Sequence, residues 1–124
     1  MSCLFNSMSY FFKKSSYDIR QSICNYLQEN KPIIDGLDTH FILSLDHSSA
    51  ENYISRMRNT STWGGAIEIQ AACNIWNVQI IVHNIRDRNG NKINFLPIDR
   101  SNNNSNTINI TWSGGHYEPV RNNN

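Results

Sequence analysis

The feature that most restricts this chain is an abrupt change of hydrophobic period in its middle. Ile69, Ala72, Cys73 and Trp76 fall at i, i+3, i+4 and i+7, one face of a helix that Trp63-Gly64-Gly65 opens. Directly afterwards, Val78, Ile80, Ile81 and Val82 form a short run rich in β-branched residues, the pattern of a buried central strand. Helix and buried strand must therefore share one core.

Upstream of this junction the pattern is helical. Leu4, Phe5, Met8, Phe11 and Phe12 suit a helix over residues 3–12 with one buried face, with Lys13 and Lys14 in its last turn, where cations suit the helix dipole. A second helix is predicted from Tyr17 to Glu29, with Ile19, Ile23, Tyr26 and Leu27 on one stripe and Ser16 as its N-cap. Pro32 bars its simple continuation and Asp35-Gly36 marks a turn. Between Thr39 and Asn59, Phe41, Leu43 and Leu45 alternate as in a short strand, whereas Tyr53, Ile54 and Met57 predict a helix at about 49–58.

Downstream the signals are those of strands. Asn89-Gly90-Asn91 is a turn, Ile93 to Leu96 a strand ended by Pro97, and Asp99 to Asn106 a polar loop. Thr107 to Trp112 alternates so that Ile108, Ile110 and Trp112 share a buried face; Gly114-Gly115 interrupts before His116, and Tyr117 to Val120 resumes the strand. Helices first and a hairpin-rich sheet last predict an α+β fold. Residues 1–124 read as a single domain without internal repeats, ending in a polar tail at 121–124.

Composition narrows the function. Eleven Lys and Arg against ten Asp and Glu give a net charge of +1, without the electrostatic footprint of a nucleic-acid or anionic-lipid binder. Only 17% of residues are charged, and nineteen asparagines supply much of the remaining surface polarity. Three scattered cysteines with no CxxC pair support neither a zinc ribbon nor a disulfide scaffold, so no metal or cofactor is expected. The apolar runs are far shorter than the ~20 residues that cross a bilayer, and no signal-peptide pattern opens the chain. A reducing, cytosol-like compartment is the expectation.

Chemistry can sit at few positions. Cys3 begins the first predicted helix, where unpaired amides and the dipole favour a thiolate; read alone, it is as well described as an incidental small hydrophobe. Cys24 and Cys73 lie on apolar helical patterns and read as core. Of the histidines, His40 and His47 occupy the ambiguous stretch and His83 ends the central strand. His116 follows a Gly-Gly pair at a strand end, where an open backbone can present a side chain to a cleft.

Taken together, Cys3-Leu4-Phe5 opening a helix, Trp63-Gly64-Gly65 followed by Glu68 and an Ala-rich helix, and Gly115-His116-Tyr117-Glu118-Pro119-Val120 resemble the ovarian-tumour (OTU) class of cysteine proteases. The resemblance runs from residue 3 to about 120 and implies a small papain-type fold, with N-terminal helices packed on a mainly antiparallel sheet. It implies a cytoplasmic, monomeric deubiquitinase that cuts the isopeptide bond after the C-terminal Gly-Gly of ubiquitin or a ubiquitin-like modifier, acting in a host cytosol if the source is a virus or intracellular microbe. By the same resemblance Cys3 is the nucleophile, His116 its general base, and Glu118 stands where the histidine-orienting residue is found. Trp63 and Gly64 line the catalytic groove, and Tyr117 flanks the channel for the modifier's tail.

Two departures accompany the match. The family reads Asp-Gly-x-Cys, with backbone ahead of the cysteine helping to build the oxyanion hole; here Met1 and Ser2 stand before Cys3, so that part of the motif is missing or replaced. Glu118 is one methylene longer than the usual Asp or Asn. The alternative is therefore an impaired OTU-like module that binds ubiquitin or another protein without cleaving it. A small α+β interaction module with an incidental Cys3 is a third reading. Recognition of the modifier's globular surface is assigned to the Thr39–Asn59 stretch.

Overall fold

The computed structural model describes residues 2–45, 49–99 and 106–121. Helices α1 (Cys3–Phe12) and α2 (Ser16–Gln28) are followed by a hairpin of β1 (Pro32–Ile34) and β2 (Leu37–Asp38), then α3 (Thr39–Ser44), α4 (Ala50–Met57) and α5 (Ala66–Trp76). Strands β3 (Gln79–Asn84), β4 (Lys92–Phe95), β5 (Thr107–Trp112) and β6 (Tyr117–Pro119) complete the described elements.

The four strands form one sheet in the order β4-β3-β5-β6. The outer pairs are antiparallel, as expected, but the central pair β3–β5 is parallel, with Ile80 beside Ile108 and Val82 beside Ile110. A parallel neighbour requires the chain to cross back between the two strands, here by way of edge strand β4. One face of the sheet is dry: Ile80, Val82, Ile108 and Ile110 are buried. The helical layer covers that core, with α5 packed on β3 and β4, α1 on β6, and α2 wedged against α1, α4 and α5. Burying one face of an antiparallel-rich sheet under helices is the α+β solution.

The helices form where local capping and a buried stripe agree. In α2 the Ser15 hydroxyl accepts the Asp18 N–H at 3.0 Å, and Ile19, Ile23, Cys24 and Leu27 are fully buried. The N-cap is thus Ser15 and not Ser16. Helix α1 stops one residue before Lys13, whose left-handed backbone (φ 57) returns its N–H to the Ser9 carbonyl. Lys13 and Lys14 therefore lie beyond the last turn, while Phe12 stacks on Trp76 with ring centroids 4.6 Å apart.

The expected strand at Phe41–Leu45 is instead helix α3. The Asp38 carboxylate accepts the Phe41 N–H at 2.9 Å, nucleating the turn, and the apparent alternation buries only Leu43 while Phe41 and Leu45 are exposed. The expected helix at 49–58 is present as α4, capped by Ser49. Most of the expected 99–106 loop and His47 lie outside the described residues.

Candidate active site

Cys3 is the first residue of α1 and is partly accessible, whereas Cys24 and Cys73 are fully buried. Burial pushes the Cys24 thiol up to about 11 and the Cys73 thiol up to about 12, so neither ionises near neutrality. At α1 the Ser2 carbonyl accepts the Asn6 N–H at 2.7 Å, but among the described residues no side chain caps the amides of the first turn. An anion at Cys3 would meet those amides and the positive end of the helix dipole.

Three further segments converge on this helix end. Gly64 lies flat against α1: a Cβ there would sit 2.8 Å from Leu4 Cδ2 and 2.9 Å from Phe5 Cζ. Trp63, half exposed, reaches the other way, its Cη2 3.9 Å from where a Cβ on Gly115 would be. Tyr117 on β6 packs against the same end. Burial raises its phenol pKa, and the negative charges of Cys3 and Glu68 add to the rise.

His116 sits in the turn between β5 and β6. That turn closes through Ser113 N–H on the His116 carbonyl at 3.0 Å and passes through Gly114 at φ +103. Arg86 lies against Gly114, where a Cβ would meet its guanidinium and its Cδ. The His116 Nε2 is 3.2 Å from Glu118 Oε1, and both side chains are more than half exposed. A carboxylate only accepts, so Nε2 is the donor in this contact and Nδ1 is the ring nitrogen not engaged by Glu118.

The other histidines are placed differently. The His83 Nε2 is 2.9 Å from the Asn109 amide oxygen on the neighbouring strand, and His40 lines a separate groove with Glu51 and Arg58. Among the described residues no cluster of His, Cys, Asp or Glu is suited to hold a metal ion, and no helix is long and apolar enough to cross a membrane.

Two cavities lie along the start of α5, and one of them is lined by the Trp63–Gly65 segment. A groove of about 590 Å³ runs between it and Tyr53, Arg56 and Met57 of α4. An apolar pocket of about 220 Å³ opens between α5 and the sheet, floored by Val82, Phe95 and Trp112 and bounded by Tyr117.

Beneath the groove is a buried polar network that the sequence reading did not anticipate. Glu68 is 1% exposed; its Oε1 accepts the Gly65 N–H and its Oε2 the Tyr53 hydroxyl, each at 2.7 Å. Burial raises the Glu68 pKa, and these two bonds work against the rise. Arg20, also 1% exposed, donates from Nη1 to the Met57 carbonyl at 2.8 Å. The signal for Arg20 was present in the spacing: Arg20, Ile23, Cys24 and Leu27 stand at i, i+3, i+4 and i+7, a position on the buried stripe.

A family model for OTU-like cysteine proteases matches residues 2–117. The chain belongs to that family. Solved OTU domains share its fold. The OTUD1 OTU domain superposes with a TM-score of 0.74 at 16% identity, over 98% of this chain and 79% of that one. An ovarian tumour domain in complex with ubiquitin gives 0.72 at 25% identity, over 95% of this chain but 62% of that one. An OTU deubiquitinase from Wolbachia pipientis wMel bound to ubiquitin gives 0.62 at 18% identity, over 98% and 90%. No curated protein sequence matches. In this OTU domain the segments carrying Cys3, Trp63-Gly64 and His116-Tyr117 meet at one end of the helical layer.

Proposed function

We propose that this OTU domain is a cysteine deubiquitinase, with Cys3 as nucleophile and His116 as general base. The observation that supports this most is the convergence of an accessible cysteine at an uncapped helix end with a turn-borne histidine. The Cys3 thiolate attacks the isopeptide carbonyl carbon, forming a C–S bond while the oxygen takes up the charge. The imidazolium of His116 protonates the departing lysine nitrogen as the C–N bond breaks. His116 then takes a proton from water, which attacks the thioester and releases the modifier's carboxylate and the Cys3 thiol. Glu118 orients the ring through Nε2, so that Nδ1 faces the reaction. Trp63 and Gly64, which line the groove beside α4, and Tyr117, which bounds the apolar pocket over the sheet, are the residues proposed to receive the modifier's tail of small residues. The exposed Phe41 and Leu45 of α3 are the surface proposed for the modifier's globular body. The enzyme acts as a monomer in a reducing cytosol.

Binding without cleavage is the second reading. It is favoured by the exposure of the His116–Glu118 pair, since a hydrogen bond open to water holds an imidazole weakly. One experiment separates the two: intact-mass analysis after incubation with ubiquitin carrying a C-terminal thiol-reactive warhead. A single adduct that is lost in Cys3→Ala is the expected result. A folded protein that binds ubiquitin but forms no adduct supports the second reading.

A further inference from the structure

Arg20 is among the largest side chains of the chain that are fully withdrawn from water, and its surroundings are specific. Its guanidinium carbon lies 4.2 Å over the ring of Phe5, two residues beyond Cys3. Besides the Met57 carbonyl, Nη2 donates to the Ser2 hydroxyl at 3.2 Å and to the Thr60 carbonyl at 3.4 Å. The Ser2 hydroxyl in turn donates to the same Thr60 carbonyl at 3.3 Å. One planar fork therefore ties α2 to the residue before Cys3 and to the segment that leads into Trp63-Gly64.

This clamp has a chemical consequence at the helix end. A serine at an N-cap ordinarily turns its hydroxyl inward to accept a first-turn N–H. Ser15 and Ser49 do so, and Asp38 does the same with its carboxylate. Ser2 does not: its backbone (φ −108, ψ 20) is turned from the extended form of those three caps, its hydroxyl is held between Arg20 and the Thr60 carbonyl, and the first-turn amides of α1 have no side-chain acceptor among the described residues. We infer that Arg20 is a positioning residue for Cys3: it holds the Ser2 hydroxyl off the end of α1, so that those amides stay open to the anion that forms at Cys3. The inference rests on Cys3 being the nucleophile, and it adds a residue that touches neither substrate nor sulfur.

The test compares wild type, Arg20→Met, Ser2→Ala and the double variant. The first readout is the rate of Cys3 alkylation by iodoacetamide as a function of pH, followed by mass; the second is kcat and KM on a fluorogenic ubiquitin substrate. Cys24 and Cys73 are buried and do not compete, and Tyr117, whose charge couples to those of Cys3 and Glu68, and Glu68 itself, together with His116 and Glu118 of the proposed site, are the same in all four proteins. In Arg20→Met the freed Ser2 hydroxyl caps the helix. Alkylation near pH 6 and kcat are then expected to fall about five- to tenfold while KM moves less than about twofold.

The double variant decides the matter, because the methyl group that Ser2→Ala leaves cannot cap. Its alkylation rate is expected to recover to within about threefold of wild type, where a merely structural loss would deepen or stay the same. An unchanged profile in Arg20→Met, or a double variant no faster than Arg20→Met, overturns the inference. If Arg20→Met fails to fold by circular dichroism, Arg20→Lys serves, since a compact ammonium lacks the planar fork that reaches both Met57 and the Ser2–Thr60 pair; a wild-type profile there also overturns it. Alkylation needs no modifier, so failure of the ubiquitin reading shows separately, as a wild-type protein with a fast Cys3 and no ubiquitin adduct.

Discussion

The two sides of the candidate active site are built to different standards. On the cysteine side, Leu4, Phe5 and Met8 are fully buried, Gly64 is in tight contact with Leu4 and Phe5, and Arg20, Glu68 and Tyr53 bond beneath. On the histidine side, His116 and Glu118 stand on a turn with more than half of each side chain in water, held by β5, β6 and the flank of Arg86. The difference teaches that stability and chemistry are separable here. Damage to the cysteine side should register first as lost folding energy. Damage to the histidine side should register as lost turnover in a protein that melts normally.

The largest expected effect tests the second half of that statement. Replacing His116 by Ala removes the proposed general base and should lower kcat by about 10²- to 10⁴-fold. The midpoint of thermal unfolding should stay within a degree or two, because the side chain is largely exposed; a large drop in melting temperature would show that the turn is structural after all.

Next in size is Gly64→Ala. The added methyl meets Leu4 and Phe5 at under 3 Å, so α1 and the Trp63 segment must part. Such overpacking costs typically about 1–3 kcal/mol, which denaturant titration reads directly. Activity should fall with stability, since the same displacement moves Cys3 relative to Trp63. A variant as stable as wild type would mean that this side of the site is looser than the contacts indicate.

The smallest effect sharpens the comparison through pH. Burial raises the Glu68 pKa above the ordinary 4.5, so the folded state holds this proton more tightly than the unfolded chain does. The stability contributed by protonated Glu68 is complete below pH 4.5 and declines as pH rises through the raised value in the fold. Glutamine cannot titrate. The melting temperature of wild type relative to Glu68→Gln should therefore fall as pH is raised from 4.5 towards neutrality. Parallel curves across that range would show that the Tyr53 and Gly65 bonds fully offset the burial.

What could be read from residues alone follows the range of the physics involved. Helix α5 and strand β3 were legible because a period of 3.6 gives way to a β-branched run within two residues, a wholly local signal. Helix α3 was not, because one cap at Asp38 outweighed an alternation that buries only Leu43. The parallel pairing of β3 with β5 was also hidden, since strand order depends on how a distant crossing is made and not on either strand's composition. At the site, Cys3 and His116 were reached through their flanking motifs. Arg20 was passed over because an arginine on a helix is ordinarily a solvated residue, although its place on the Ile23–Leu27 stripe marked it as buried.

The short strand β6 docks on β5 and on α1, so it joins the last-made part of the sheet to the first-made helix of the fold. During synthesis Cys3 leaves the ribosome long before His116 and Tyr117 do. A nascent chain thus carries the Cys3 thiol before the histidine proposed as its partner, and the proposed pair would be assembled only when the sheet closes. In the proposed protease, docking of β6 is thus the event that would bring the two proposed reactive groups within one site.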